Sequence, residues 1–179
     1  VFFMPNLIGG IVLGYIWSMI FDGILSRYNT SILLNSTYGF WGLIILMAWQ
    51  QIGYMMIIYI AGLQAVPGDM LEAAKIDGAS EWKTLWDIII PNVMPSITIC
   101  TFLTLTNSFK LYDQNLALTN GRPYNGAIHT TEMLALNIVN SNTLKTKGVG
   151  QAKAVMFFVL VAIIGIFQMK STHDKEVQQ

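Results

Sequence analysis

The sequence predicts an all-α membrane protein, a polytopic bundle of about four transmembrane helices. Of its 179 residues, 54% are hydrophobic and only 11% are Asp, Glu, Lys or Arg, whereas soluble domains carry roughly a quarter charged residues. The mean hydropathy is +0.53. Four stretches approach the roughly 20 apolar residues that a helix needs to cross a hydrocarbon core about 30 Å thick. Together these observations predict a protein that crosses a cell membrane several times.

Each predicted span is defined by an apolar run with few or no charges. The spans cover residues 2–21, 38–63, 93–111 and 152–169. In the first span, Gly9, Gly10 and Gly14 are small enough to let another helix approach closely. The segments between the spans are polar, and the longest of them, residues 112–150, is rich in Asn, Thr, Gly and Lys.

The connection at residues 64–92 differs from the others because it has a helical pattern of its own. Asp69 is the expected N-cap of a short helix, with Glu72 three residues later as in a capping box, and Gly78 is placed to end that helix. Ser80 is the expected N-cap of a second helix, and Pro91 is expected to stop it. The apolar stripe of this second helix consists of Trp82, Leu85, Trp86 and Ile89. Two short helices therefore meet at a glycine elbow.

Charge and motif content exclude several classes of function. Ten basic and ten acidic residues give a formal net charge of zero, so no cationic surface for nucleic acid is predicted. The sequence has no GxxxxGK[ST] phosphate-binding loop, so any ATP chemistry must belong to a partner. His129 and Glu132 lack a third ligand, which favours ordinary surface roles over a metal site, and Cys100 is expected to pack as a small hydrophobe.

The segment EAAKIDGASEWKTLWDIIIPNVMP, from Glu72 to Pro95, closely resembles the cytoplasmic EAA loop of the membrane subunits of binding-protein-dependent ABC importers. The flanking AGLQAVP and LTNGRP segments are similar to the carbohydrate branch of that family, and the tail favours its maltose-permease-like first subunit. Members usually have about six spanning helices, so the first two are expected to be missing from this chain. Arg122 stands where the family more often has a second glycine, which leaves the shape of that turn open.

The resemblance implies a division of labour among subunits. The chain is expected to be the C-terminal portion of the transmembrane domain, over residues 1–179, with residues 64–92 as a cytoplasmic coupling loop and residues 112–150 as an extracytoplasmic loop. Its expected partners are a second permease subunit, two ATP-binding cassette subunits, an extracytoplasmic solute-binding protein, a carbohydrate and membrane lipid. No cofactor and no catalytic residue are expected in the chain itself, since the partner subunits use the ATP.

The coupling loop supplies the first set of candidate site residues. The resemblance assigns contact with the ATPase to Glu72, Ala73, Ala74, Asp77, Gly78, Ala79, Trp82 and Pro91. Within this set, Glu72 is interpreted mainly as a structural residue of the loop. The stripe that begins at Trp82 is expected to pack either against the chain's own helices or against the partner, and its spacing leaves both open.

Polar residues at membrane depth supply the second set. Met47, Gln50, Gln51 and Tyr54 share one helical face, where amides exposed to lipid would be unsatisfied. Positions that match sugar-site residues of the resembling permeases are Asn6, Gly10, Met47, Gln50, Gln51, Tyr54, Thr104, Asn107 and Leu111. Uncharged amides, hydroxyls and aromatic faces suit a neutral polyhydroxylated ligand. The alternative is hydrogen bonding that only holds the helices together.

The preferred hypothesis is therefore the permease subunit of an ATP-driven sugar importer. A small helical channel would instead need a continuous polar stripe and no ATPase. A membrane-embedded enzyme would need an intramembrane Asp, Glu or His constellation, which the four spans scarcely offer. The identity of the solute stays open, including a sugar phosphate in place of a neutral sugar.

Overall fold

The computed structural model describes residues 3–125, 128–142 and 146–176. Within these residues, three helices are long and apolar enough to cross a membrane. They are Ser36–Gln64, Glu81–Phe109 and Lys147–Lys170. The prediction that residues 2–21 form one continuous span was wrong, because Met4–Leu7 forms a 3-10 turn and Ile8 is extended. The helix that follows, Gly10–Leu25, has 16 residues and is about 24 Å long at 1.5 Å per residue, short of a hydrocarbon core.

The elements are numbered here in chain order. The helices are α1 (Gly10–Leu25), α2 (Ser36–Gln64), α3 (Gly68–Ile76), α4 (Glu81–Phe109), α5 (Asp113–Leu118), α6 (Leu134–Ser141) and α7 (Lys147–Glu176). Two-residue strands β1 (Tyr124–Asn125) and β2 (Ile128–His129) pair antiparallel between α5 and α6. A second 3-10 turn, Ser26–Tyr28, follows α1.

Helix α4 is continuous from the coupling segment into the membrane, so the prediction that Pro91 ends a separate helix was wrong. Leu85–Ile89 forms a π-helical turn in which the Ile90 N–H donates to the Leu85 carbonyl. This wider turn accommodates a proline that lacks an N–H and would otherwise clash with the preceding turn. The side-chain amide of Asn92 also donates to the Ile88 carbonyl at 2.7 Å. The predicted pair of short helices is in fact one short helix and the start of a long one.

A helix break follows α4 and positions the short helix α5 against α1. A Cβ placed on Gly14 would lie 2.5 Å from the Ala117 Cβ, and one placed on Gly10 would lie 2.9 Å from the Asp113 Cβ. The predicted close approach is therefore confirmed at Gly10 and Gly14, whereas nothing lies within 4 Å of a Cβ on Gly9. Residues 112–150, predicted as a loop, thus begin with a helix packed on α1 and α2.

The buried core joins α2, α5 and the segment after α1. Its fully buried members are Ile32, Leu43, Leu46 and Leu118, and Trp17 and Phe21 pack on them. The Asp22 carboxylate accepts a 3.0 Å hydrogen bond from the Ile32 N–H, which ties the loop after α1 to that helix. Gly62 of α2 allows α4 to cross closely, because a Cβ there would overlap the Ser96 hydroxyl.

Gly14 and Gly23 give opposite predictions for the same substitution in α1. Gly14→Ala should destabilise the protein by about 1–3 kcal/mol, because the new methyl overlaps Ala117. Gly23→Ala should stabilise it by about 0.5–1 kcal/mol, because nothing lies within 4 Å of the added Cβ and alanine favours the helix. Thermal unfolding of the purified variants in detergent measures both. Equal shifts for the two variants would contradict the packing of α5 on α1.

Candidate functional site

A polar cavity lies where α4 breaks, beside the middle of α2. Its volume is about 310 Å³, at the lower end of the roughly 300–1,000 Å³ typical of ligand pockets. The lining residues are Asn6, Met47, Gln50, Gln51, Asn107, Lys110, Leu111, Tyr112, Asp113 and Gln114. Six of these belong to the predicted substrate set, and they come from three separate stretches of the sequence.

Helix geometry explains how α2 contributes to this cavity. Met47, Gln50 and Gln51 recur at a spacing of three and four residues, so one face of the helix carries all three. Gln50 is the middle residue of the 29-residue helix Ser36–Gln64, which places the cavity at mid-depth of a transmembrane helix. The Gln114 amide donates to the Gln50 side-chain oxygen at 2.9 Å. Each side chain keeps further hydrogen-bonding capacity for a ligand.

The helix break forms the opposite wall. Helix α4 ends at Phe109 and α5 begins at Asp113. Between them the Tyr112 N–H donates to the Lys110 carbonyl at 2.8 Å. Lys110, Tyr112, Asp113 and Gln114 also line the cavity, although none of them belongs to the predicted substrate set. Because the break brings a short helix back to mid-depth, these four residues line the cavity.

Three predicted substrate residues do not line this cavity. Gly10 borders it, since a Cβ there would meet the side chains of Asp113 and Gln114 at 2.9 Å. Tyr54 lies beyond it, with its ring 6.3 Å from that of Phe3. Thr104 lines a separate groove of about 480 Å³ between α2 and α4, together with Tyr59 and Ser108. A role for Tyr54 or Thr104 in substrate binding stays a prediction.

A buried hydrogen-bond network holds α5 in place from the other side. Asn115 is fully buried, and its amide donates to the Thr119 hydroxyl at 3.0 Å and the Thr131 carbonyl at 2.8 Å. Its side-chain oxygen accepts from the Met133 N–H at 2.9 Å. The Thr131 hydroxyl donates to the Arg122 carbonyl at 2.6 Å, so the turn that contains Arg122 closes onto the same network.

The coupling elbow, residues 68–84, joins α3 to α4 through Gly78. The prediction that Gly78 ends α3 is confirmed. Gly78 has a φ of +72°, its N–H donates to the Lys75 carbonyl at 3.1 Å, and the Ala79 N–H donates to the Ala74 carbonyl at 2.9 Å. This is a Schellman motif.

The two predicted N-caps of the coupling elbow have different outcomes. Ser80 caps α4 as predicted, since its hydroxyl accepts from the Lys83 N–H at 3.3 Å. The Asp69 capping box was wrong: α3 begins at Gly68 and its N-cap is Pro67, with no side-chain cap bond. The extended N-cap conformation is adopted by Pro67, two residues earlier than expected. Asp69 instead lies in the first turn of α3, where its charge favours the helix dipole.

A cleft of about 640 Å³ opens between α3 and the start of α4. Five predicted coupling residues line it, namely Ala73, Ala74, Asp77, Gly78 and Ala79. Glu72, Trp82 and Pro91 lie outside it. Trp82 and Trp86 are 70% and 60% exposed, so in the described part of the chain these two rings are not packed internally. Their exposure makes them available to a partner.

No group of three or more metal-ligating residues occurs among the described residues. Glu132 accepts hydrogen bonds from the side chains of Asn137 and Asn140. The Asn137 side-chain oxygen in turn accepts from the Lys153 ammonium at 2.7 Å. Glu132 therefore belongs to a network that joins α6 to α7, while the side chain of His129 lies outside the described residues.

Comparison with known proteins is consistent with this geometry. A family model described as the inner membrane component of binding-protein-dependent transport systems matches residues 1–170. The chain belongs to this family, whose members are membrane components of transport systems and not enzymes. A multi-pass membrane protein agrees with the three helices long and apolar enough to cross a bilayer.

Individual relatives are named as sugar transport permeases. The chain is 43% identical, over 99% of its length, to the probable starch degradation products transport system permease protein AmyD of Thermoanaerobacterium thermosulfurigenes. It is 29% identical over 98% of its length to the multiple sugar-binding transport system permease protein MsmF of Streptococcus mutans. It is 34% identical over 73% of its length to the trehalose/maltose transport system permease protein MalF of Thermococcus litoralis. The chain spans 62% of AmyD, 63% of MsmF and 43% of MalF.

Asn115 and Asn107 provide a matched test of the network that holds α5. Asn115→Leu should cost about 3 kcal/mol or more, since it strands several buried polar groups at roughly 1–3 kcal/mol each. Asn107→Leu should change stability by less than about 1 kcal/mol, because Asn107 lies at the half-buried wall of the cavity. Chemical unfolding in detergent compares the two variants. Similar losses in both would contradict a special role for the Asn115 network.

Proposed function

We propose that this chain is a permease subunit of an ATP-driven, binding-protein-dependent importer, and that its solute is a sugar or oligosaccharide. The observation that carries the proposal is the convergence of Asn6, Gln50, Gln51 and Asn107 on one mid-depth cavity. Sugar transport by AmyD, MsmF and MalF, as their names state it, supports the same solute class.

The chemistry of the cavity suits a polyhydroxylated solute. The amides of Gln50, Gln51 and Asn107 both donate and accept hydrogen bonds, as sugar hydroxyls do. The Tyr112 ring adds a surface on which the apolar face of a sugar ring can pack. A sugar loses hydrogen bonds to water when it enters the membrane, and these groups can replace them at mid-depth.

The coupling elbow supplies the mechanical part of the proposal. Helix α3 packs only marginally on the other elements, and its cleft with α4 is open. The Trp82 and Trp86 rings at the start of α4 are exposed. We infer that two ATP-hydrolysing subunits power transport and that one of them binds this elbow. A second permease subunit, a solute-binding protein outside the membrane and surrounding lipid complete the proposed importer.

A simple channel is the weaker alternative. A channel needs no motor-docking element, whereas α3 and the first turns of α4 form a protruding elbow with exposed apolar rings. An importer for a sugar phosphate differs from the proposed one only in the charge of its solute. Co-purification with an ATPase favours an importer, and ion conductance by the isolated chain favours a channel.

Replacing Gln51 tests the cavity. Gln51→Leu in the assembled importer should lower sugar uptake by tenfold or more, because an amide that bonds the solute is lost, at roughly 1.5 kcal/mol or more. The matched control is Ile52→Leu on the exposed side of the same helix, which should leave uptake unchanged. Uptake into proteoliposomes and the subunit ratio of the purified complex are measured together. Normal uptake by the Gln51 variant would remove this residue from the solute pathway.

Replacing Gly78 tests the elbow. Gly78→Val should assemble but separate ATP hydrolysis from uptake, because a β-branched residue resists the left-handed backbone. Nothing lies within 4 Å of a Cβ at this position, so overlap of the Cβ with neighbouring residues does not explain the defect. Gly78→Asn is the control, since Asn tolerates this conformation, and it should keep most of the coupling. Equal coupling in both variants, measured as sugar imported per ATP hydrolysed, would count against the elbow.

A further inference from the structure

The polar cavity contains two opposite charges, and the binding of a neutral sugar does not by itself explain their presence. Among the described residues that line it, Lys110 is the basic residue and Asp113 the acidic residue. They stand on the two sides of the helix break, and both side chains are exposed in this chain. Charged groups at mid-depth of a membrane are costly and usually functional.

The charge of Asp113 lies in the first turn of α5, where it favours the helix dipole, but the hydrogen bonds that fix this helix come from its neighbours. Asp113 is the first residue of α5, but this helix has no side-chain cap bond at its N-terminus. The bonds that fix α5 come from Gln114 to Gln50 and from Asn115 to its buried partners. Gly10 instead makes room for Asp113, because a Cβ on Gly10 would lie 2.9 Å from the Asp113 Cβ. The carboxylate is thus accommodated at the cavity wall without a structural bond of its own in the described hydrogen bonds.

Opposite charges in one small cavity affect neutral and charged solutes differently. A neutral polyol gains charge-assisted hydrogen bonds from both groups, since Lys110 can donate to a hydroxyl oxygen and Asp113 can accept from a hydroxyl. An anion in the same space is attracted by Lys110 and repelled by Asp113, and the low dielectric of the walls strengthens both effects. Without Asp113 the cavity would carry a net positive charge and attract anions.

We propose that Lys110 and Asp113 set the charge selectivity of the cavity, and that Asp113 excludes anionic solutes such as sugar phosphates and sugar acids. This inference rests on the proposed function, because it assumes that the cavity belongs to the solute pathway. It assigns to this chain the discrimination between a neutral sugar and its phosphorylated relative.

Charged thiol reagents test the selectivity without knowledge of the natural solute. Met47→Cys is placed in the cavity of the assembled importer, with Cys100→Ala as background. Its modification rate is measured with a sulfonate-bearing and a trimethylammonium-bearing methanethiosulfonate, both with and without ATP. Asp113→Asn should raise the sulfonate-to-ammonium rate ratio by about tenfold, and Lys110→Met should lower it by a similar factor. The double variant should return the ratio to near its original value.

Ser26→Cys, at an exposed position in the turn after α1, is the control position, and its rate ratio should not respond to either cavity substitution. A ratio at Met47→Cys that stays within about twofold in both single variants would overturn the proposal. Failure of both reagents to react there in every nucleotide state would also overturn it, since no charged solute could then reach the residues. Loss of uptake in Gln51→Leu together with an unchanged ratio would reject the charge selectivity alone and leave the proposed function standing.

Discussion

The continuity of α4 is the constraint on which the proposed mechanism depends. One helix runs from Glu81, within the coupling elbow, to Phe109, at the wall of the cavity. Pro91 and Pro95 lie in its path, and Pro91 is accommodated by the π-helical turn that precedes it, next to a bond from the Asn92 amide to the Ile88 carbonyl. A displacement applied near Ser80 can therefore be passed to Asn107 along one continuous helix.

The cavity exists because the same helix stops abruptly at its far end. The three residues after Phe109 leave the helix, and α5 follows as a separate short element packed on α1. Glycines at positions 10 and 14 let α5 approach α1, and Asn115 satisfies the buried polar groups around it. The two glycines and the hydrogen-bonded network of Asn115 thus stabilise the helix break at mid-depth. In a membrane, an irregular backbone is tolerated there only if it is packed against protein or lines a polar cavity.

Local chemistry made part of this structure predictable from the sequence. Gly78 and Ser80 were recognised because helix ends have residue-specific requirements, and Met47, Gln50 and Gln51 were grouped because helical spacing puts them on one face. The end of α4 at Phe109 lies close to the predicted end of the third span at residue 111, but the helix α5 that follows was missed, since Asp113–Leu118 is too short for a periodic signal. Pro91 was misread as a stop, because the π-helical turn that accommodates it has no sequence signature. The placement of Lys110 and Asp113 at the cavity depends on the position of α5. It could therefore not be predicted without that helix.

The claim that α4 carries motion from the elbow to the cavity can be tested by one distance measurement. Spin labels at Ile52 on α2 and Ser108 on α4, both exposed, would report the separation of these two helices in the assembled importer. The account predicts that the distance shifts by about 2 Å or more between the nucleotide-free and ATP-bound states. An unchanged distance in an importer that is hydrolysing ATP and transporting sugar would contradict it.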